Sequence, residues 1–180
     1  MSWDNSGYWL TRLLFQRGLG VVYLVAFINA VNEFKPLLGE HGLLPAPAWI
    51  KEVAFRQSPS LFFFAPKDSV FVFAAWTGVV LSCLVVTGIS ERYSTWLSAI
   101  IWALLWLLYI SFVNVGQTFY AFGCESILLE AGFYAMFLGS SKSAPQRLSI
   151  LWLRWLCFRV RFGAALLKRR GDPCWGDMTV

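Results

Sequence analysis

Charge is scarce in this sequence. Of its 180 residues, 14% are Asp, Glu, Lys or Arg, where a soluble domain carries about 25%. Histidine occurs once, as His41, and the four cysteines form no CxxC pair. Each shortage excludes something. A lone histidine without HExxH or CxxC excludes a conventional zinc centre, so no metal ligands are expected. His41 would have to serve any Ser-His-Asp or Cys-His arrangement, and no supporting pattern surrounds it. Four cysteines in a chain of this length are too sparse for a secreted disulfide scaffold.

What is abundant is apolar. Hydrophobic residues make up 58% of the chain and aromatic ones 18%, and the mean hydropathy is +0.59. The aromatic content excludes disorder. A 20.4 kDa chain is too small to hide that much apolar surface, because small folds expose a large share of their atoms. The composition therefore points to an all-α membrane protein with several spans. The net charge of +5 does not change this. Arg154, Arg159 and Arg161 lie inside an apolar stretch, with Lys168-Arg169-Arg170 directly after it. They read as intramembrane and flanking charge, and no nucleic-acid partner is expected.

A helical span needs about 20 apolar residues. Five stretches qualify as expectations: about 13–31, 69–88, 96–113, 124–139 and 148–167. The third is uncharged throughout, and the second ends on Thr87-Gly88, a helix stop. The stretch before residue 12 carries Asp4 and Asn5 with no small-residue cleavage site. It reads as an amphipathic lead-in to the first span and not as a removable signal peptide. The longest connection, 34–68, holds five prolines. Within it, Trp49, Ile50, Val53 and Ala54 oppose Lys51, Glu52, Arg56 and Gln57, which predicts a short helix over 46–57. Such a helix is either interfacial or an ordinary packed loop helix. Leu61-Phe62-Phe63-Phe64 is expected to dip back into the membrane edge before Pro66. The other connections are short, so neighbouring helices are antiparallel. Charge does not set the orientation: the two sides of a five-span chain hold five and seven basic residues.

The informative charges lie in the fourth and fifth stretches. Arg147, Arg154, Arg161 and Lys168 are spaced by seven, which is within about 20° of two full helical turns. They form one stripe, and Arg159 lies off it. A mid-bilayer charge costs at least about 2.5–3.5 kcal/mol, so the stripe is expected to face protein, a water-filled cavity or a headgroup. Glu125 and Glu130 are the acids that read as intramembrane. An intramembrane polar cluster of Glu125, Glu130, Arg154, Arg159 and Arg161 follows, with Glu130 expected to pair with Arg154. Asn114, Gln117 and Tyr120, in the short loop before the fourth span, are expected to form a fixed polar surface with Glu125 at the membrane edge. Cys83 and Cys157 read as packing residues. Cys124 and Cys174 fall on one side under five spans and form a possible disulfide.

Several segments resemble the lipase maturation factor family. They are Leu14-Phe15-Gln16-Arg17-Gly18, Leu37-Leu38-Gly39-Glu40, Gly42-Leu43-Leu44-Pro45, Asn114 to Tyr120, and Glu125-Ser126 with Leu128 to Phe133. The closing stretch is the most specific: Leu153-Arg154-Trp155-Leu156, Phe158-Arg159, Arg161 to Ala164, Lys168, and Arg170-Gly171-Asp172-Pro173-Cys174-Trp175. The resemblance implies a multi-pass membrane protein that assists the folding or assembly of secreted lipases, chaperone-like and without a cofactor. Its partners would be a client lipase, or another secreted protein, and membrane lipid. It implies the endoplasmic reticulum membrane for a eukaryotic member and the inner membrane for a bacterial one. It also implies a sizeable non-membrane domain beyond Trp175, so the chain is expected to be a truncated member. At Arg161 the resemblance implies an apolar residue instead. A remoter similarity, to the gamma-carboxylase-like transmembrane superfamily, implies an enzyme. There Lys168 would be the catalytic base, with Trp175 behind it and a lipid-like or quinone-like cofactor.

Overall fold

The structure is a computed structural model that describes residues 9–89, 94–139 and 146–171. Among these residues all regular structure is helical: α1 Trp9–Leu38, α2 Ala46–Glu52, α3 Asp68–Thr87, α4 Thr95–Val115, α5 Gly123–Met136 and α6 Arg147–Gly171. Single 3-10 turns occupy Leu61–Phe63 and Gln117–Tyr120. Helices α1, α3 and α4 are long and apolar enough to cross a membrane. This is therefore a membrane protein.

Two of the five expected spans do not meet that criterion. Helix α5 has 14 residues, about 21 Å at 1.5 Å per residue, against a hydrocarbon core of about 30 Å. Helix α6 has 25 residues, but Arg147, Arg154, Arg159, Arg161 and Lys168 interrupt its apolar run. The first span is longer than expected. Helix α1 continues through Asn29, Asn32 and Glu33 to Leu38, with Pro36 in its last turn.

Helices α1 and α3 form an antiparallel hairpin with a fixed register. Gly20 packs against Val85, Phe27 lies over Gly78, and Phe34 meets Phe71 at a ring distance of 5.0 Å. The contacts step by seven residues on both helices, the period of left-handed supercoiled packing. Gly78 is what lets Phe27 in: a Cβ there would fall 2.3 Å from the ring. At one end of the hairpin, Asp68 Oδ1 accepts the Glu40 N–H at 2.8 Å, and Glu40 Oε1 accepts the Asp68 N–H at 3.2 Å. The reciprocal bonds satisfy a free donor at the start of α3.

Two adjacent residues of α1 close other helices at the opposite end. Arg17 Nη1 donates to the Val86 carbonyl at the end of α3. Gln16 Nε2 donates to the Gly139 carbonyl, past the end of α5, at 3.1 Å. Both terminations use a left-handed glycine, Gly88 at φ 76° and Gly139 at φ 78°, the usual way a helix ends. C-terminal carbonyls without a partner are costly near lipid, and here one motif covers two of them.

The core is aromatic. Tyr23, Phe27, Phe34, Phe62, Phe71, Trp102, Tyr109 and Phe112 are all buried, and most of their contacts are edge-to-face, the favoured geometry of ring quadrupoles. Phe62 reaches this core from the 3-10 turn, 4.7 Å from Phe71 and 4.9 Å from Phe112, while Phe64 stays exposed. Helix α2 is shorter than predicted because Val53 leaves the helix in an extended conformation. Ala46 is buried, and Trp49 and Ile50 pack on the core, which makes α2 a packed loop helix. Cys83 and Cys157 are exposed on their helices and do not pack in the core as expected.

Candidate functional site

The loop over residues 39–66 forms a roof at one end of the bundle, and α4 pins it there. Ser111 Oγ accepts the Leu61 N–H at 3.2 Å, and the Ser60 hydroxyl donates to the Ser111 carbonyl at 2.9 Å. Asn114 Nδ2 donates to the Pro59 carbonyl at 2.6 Å, while Ser58 donates to the Asn114 carbonyl at 2.7 Å. Gln117 Nε2 donates to the Leu44 carbonyl at 3.3 Å. Gln117 holds a left-handed backbone at φ 49°, and Tyr120 folds back so that its ring would meet a Cβ on Gly116 at 2.4 Å. The expected polar surface of Asn114, Gln117 and Tyr120 is thus an ordered brace. Its amides reach into the loop backbone and do not all point outward.

Beneath the roof is a cleft of about 470 Å³ between α1, α4 and α5. One wall is Val21, Val22 and Val25, which are exposed on the outer face of α1. The other end holds Asn29, Glu33, Tyr109, Tyr120, Cys124 and Glu125. Helix α5 ends level with Gln16 through Gly139, so its missing length falls at its N-terminal end, and the cleft opens there. Glu125 lies in the first turn of α5, where a carboxylate is favoured by the helix dipole. It accepts a hydrogen bond from the Tyr109 hydroxyl. The Tyr120 hydroxyl, outside the spans, has its pKa pushed up by burial first and then by Glu125 and Glu33. It therefore stays protonated and can donate. The cleft thus joins an apolar wall to a polar end of two carboxylates, an amide and two phenols. That combination suits an apolar segment bearing hydrogen-bond donors.

The expected cluster is divided among several places. Glu125 lines this cleft. Glu130 pairs with Arg159 on the outer side of α5 and α6, which corrects the expected Glu130–Arg154 pair. The reason is the contact face of α6. Ser149 donates to the Phe137 carbonyl at 3.1 Å, Trp152 stacks on Tyr134 at 5.9 Å, and Leu156 is buried. Residues 149, 152, 156 and 159 share one helical face, and Arg154 lies about 180° round from it. Arg154 instead lines a separate cleft against α1. Arg161 and Lys168 are on the exposed part of α6, and Lys168 lines neither cleft. Cys124 is a free, exposed cysteine, and Cys174 and Trp175 lie outside the described residues. A base at Lys168 with a quinone-like molecule needs the acids and arginines around one cavity. Among the described residues they line no single cleft.

A double-mutant cycle separates the two pairings. Glu130→Gln and Arg159→Met are expected to be coupled in thermal stability in detergent, and Glu130→Gln with Arg154→Met additive. Coupling only in the second cycle would contradict the observed pair.

Glu33, Asn29 and Tyr109 belong to the site without any motif that marks them in the sequence. Asn29 and Glu33, one turn apart at the end of an apolar run, looked like a span terminus. In the longer α1 they are one polar face of the cleft. Tyr109 supplies the phenol in the otherwise most apolar span.

Fold and site together define a polytopic membrane helix bundle with a braced roof and a laterally open cleft. The chain belongs to the lipase maturation factor family: the family model for the lipase maturation factor transmembrane domain matches residues 10–180. Lipase maturation factor 1 of Mus musculus is 38% identical over 188 residues, covering 96% of this chain and 33% of that protein. The Homo sapiens protein of the same name is 37% identical over 188 residues, with coverage of 96% and 33%. Lipase maturation factor 2 of Homo sapiens is 29% identical over 199 residues, covering 97% of this chain and 28% of the relative. The chain thus spans about a third of the length of the curated relatives it matches. No solved structure matches it.

Proposed function

We propose that this chain is the membrane-embedded part of a chaperone-like factor for the folding or assembly of secreted lipases, with the roof and the cleft beneath it as the client-facing side. The membrane would be the endoplasmic reticulum in a eukaryotic cell or the inner membrane in a bacterium. The roof would face the lumen or periplasm. The observation that carries this reading is the brace of Ser111, Asn114 and Gln117. It holds in place a loop from which Leu43 and Phe64 stand out at 73% and 82% exposure. Apolar residues fixed outward in this way mark interaction sites, and polar groups presented by a rigid scaffold commonly carry function.

The test is co-expression with a secreted lipase, measuring enzyme activity per mass of lipase released. Asn114→Ala with Gln117→Ala is expected to lower specific activity several-fold, with unchanged amounts of the factor in the membrane. Full maturation by the double variant would overturn the client-facing role of the roof.

A further inference from the structure

The cleft beneath the roof runs along α1 from Val21 to Leu37, about 24 Å at 1.5 Å per residue. Val22 and Val25 lie on its lower wall, and Asn29, Glu33 and Glu125 line its upper part. We infer that this cleft, on the client-facing reading given above, takes an apolar segment of a protein partner that carries one lysine or arginine, with the cation seated at Glu33 and Glu125.

Three observations support the assignment. The first is depth. Helix α3 has 20 residues and at about 1.5 Å per residue just spans the hydrocarbon core. Phe34 stands against Phe71, three residues inside the start of α3 at Asp68. Glu33 and Asn29, lower on α1, therefore lie about 6 and 12 Å below that start. Helix α5 is about 9 Å shorter than the core, and its missing part is on this side, so Glu125 in its first turn is also inside. Carboxylates at that depth are costly unless water or a cation meets them. The second is charge balance. Among the described residues no lysine, arginine or histidine lines the cleft or pairs with Glu33 or Glu125. Beyond them the sequence holds only Arg92 and Lys142 as basic side chains. Arg92 is two residues from Ser94 and Lys142 three from Gly139, and both of those described residues belong to the opposite end of the bundle. At about 3.6 Å per residue at most, neither reaches across about 30 Å. The third is convergence. Both carboxylates act on the Tyr120 hydroxyl, which gathers them around one point. Tyr109 fills one acceptor site on Glu125, and a carboxylate offers about four. A lipid amine belongs to the headgroup layer outside the core, whereas a basic side chain on an apolar segment is carried to this depth by the segment itself.

The probe is a short leucine–alanine peptide with one central lysine, compared with peptides that carry norleucine or glutamate at that place. Purified protein in a neutral detergent is titrated with each, and maleimide modification of its cysteines is followed residue by residue by mass spectrometry. Cys124 lines the cleft, and Cys83 is exposed on α3 outside it. The lysine peptide is expected to protect Cys124 and not Cys83. Its affinity should be about tenfold above that of the norleucine peptide, a difference of about 1.4 kcal/mol, with the glutamate peptide weakest. Glu33→Gln and Glu125→Gln should each remove most of this preference and leave binding of the norleucine peptide as it was. Glutamine at 125 keeps an acceptor for Tyr109, and Glu33 is exposed, so both variants should fold. Glu130→Gln, on the outer side of α5, should change the preference less than twofold. Val25→Trp, on the exposed wall, should weaken the lysine and norleucine peptides alike. Equal affinity for those two peptides would overturn the cation site, and so would an equal loss of preference in Glu130→Gln. Displacement of the lysine peptide by short-chain phosphatidylethanolamine, with Cys124 still protected, would overturn the protein partner in favour of a lipid amine. Unchanged protection in Val25→Trp would place the segment outside the cleft. Absence of a lysine preference alongside impaired maturation by the Asn114→Ala, Gln117→Ala variant would strike the cation site alone. A clear preference alongside full maturation by that variant would strike the client-facing role of the roof alone.

Discussion

Gly78→Leu should unfold the hairpin of α1 and α3. The Phe27 ring lies where a side chain at residue 78 would go, with three ring carbons at 2.3–2.5 Å from an ideal Cβ. Overpacking usually costs about 1–3 kcal/mol, and occasionally more. Here the ring is fully buried, and Tyr109 at 5.7 Å and Phe112 at 6.2 Å stand around it. It has no room to retreat, and the cost should reach or pass the top of that range. Phe27→Ala alone leaves a cavity and should cost about 3–5 kcal/mol. In lipid the loss is of packing more than of transfer from water, since helices there associate chiefly through close contact. The double variant Gly78→Leu with Phe27→Ala roughly conserves volume and should be more stable than either single. Folded yield and thermal midpoint in detergent check this. A double variant as poor as the sum of its parts would mean that the two residues do not share one space.

The second large effect is expected at Gly88. An alanine there must hold φ 76°, and its Cβ would fall 1.8 Å from Arg17 Nη2. The backbone penalty for a side chain in the left-handed region is about 1–2 kcal/mol. Displacing the guanidinium also breaks a charge-assisted bond to the Val86 carbonyl, worth about 1.5–3 kcal/mol. Gly88→Ala should therefore cost about 2.5–5 kcal/mol in wild-type background. In an Arg17→Ala background it should cost only the backbone portion. Equal costs in both backgrounds would show that Arg17 is not seated on the glycine.

Much of this architecture could be read from the chain, and the failures have physical causes. Helices α3 and α4 fall within two residues of expectation because their apolar runs are unbroken and their ends carry ordinary stop and cap residues. Helix α1 was cut short because polar residues in an apolar run read as a terminus, although Asn29 and Glu33 are only one face of a continuing helix. Periodicity fixed which residues of α6 share a stripe. It said nothing of how α6 is rotated against α5, and that rotation decides for Arg159 over Arg154. The brace residues Asn114 and Gln117 stood out as polar groups at a span end. Their partners could not be foreseen, because Pro59 and Leu44 lie 55 and 73 residues away in sequence. Gln16 and Arg17 were visible only as part of a family-like segment. What they bind is set by the tertiary arrangement alone.

The position of those two residues bears on how the protein is made. Helix α1 leaves the ribosome before α3 and α5, yet the carbonyls that Arg17 and Gln16 cover lie 69 and 123 residues later. At a synthesis rate of about 5–20 residues per second, the longer interval lasts roughly 6–25 s. Until α3 is made, the guanidinium and the amide at the edge of the bilayer both lack their final partners, and the amide lacks its own until α5 is complete. Helix α1 must therefore wait where both remain hydrated or held by the insertion machinery, and settle only when α3 and then α5 arrive. The order of synthesis thus becomes an order of assembly, with α1 carrying the closures for two helices made after it.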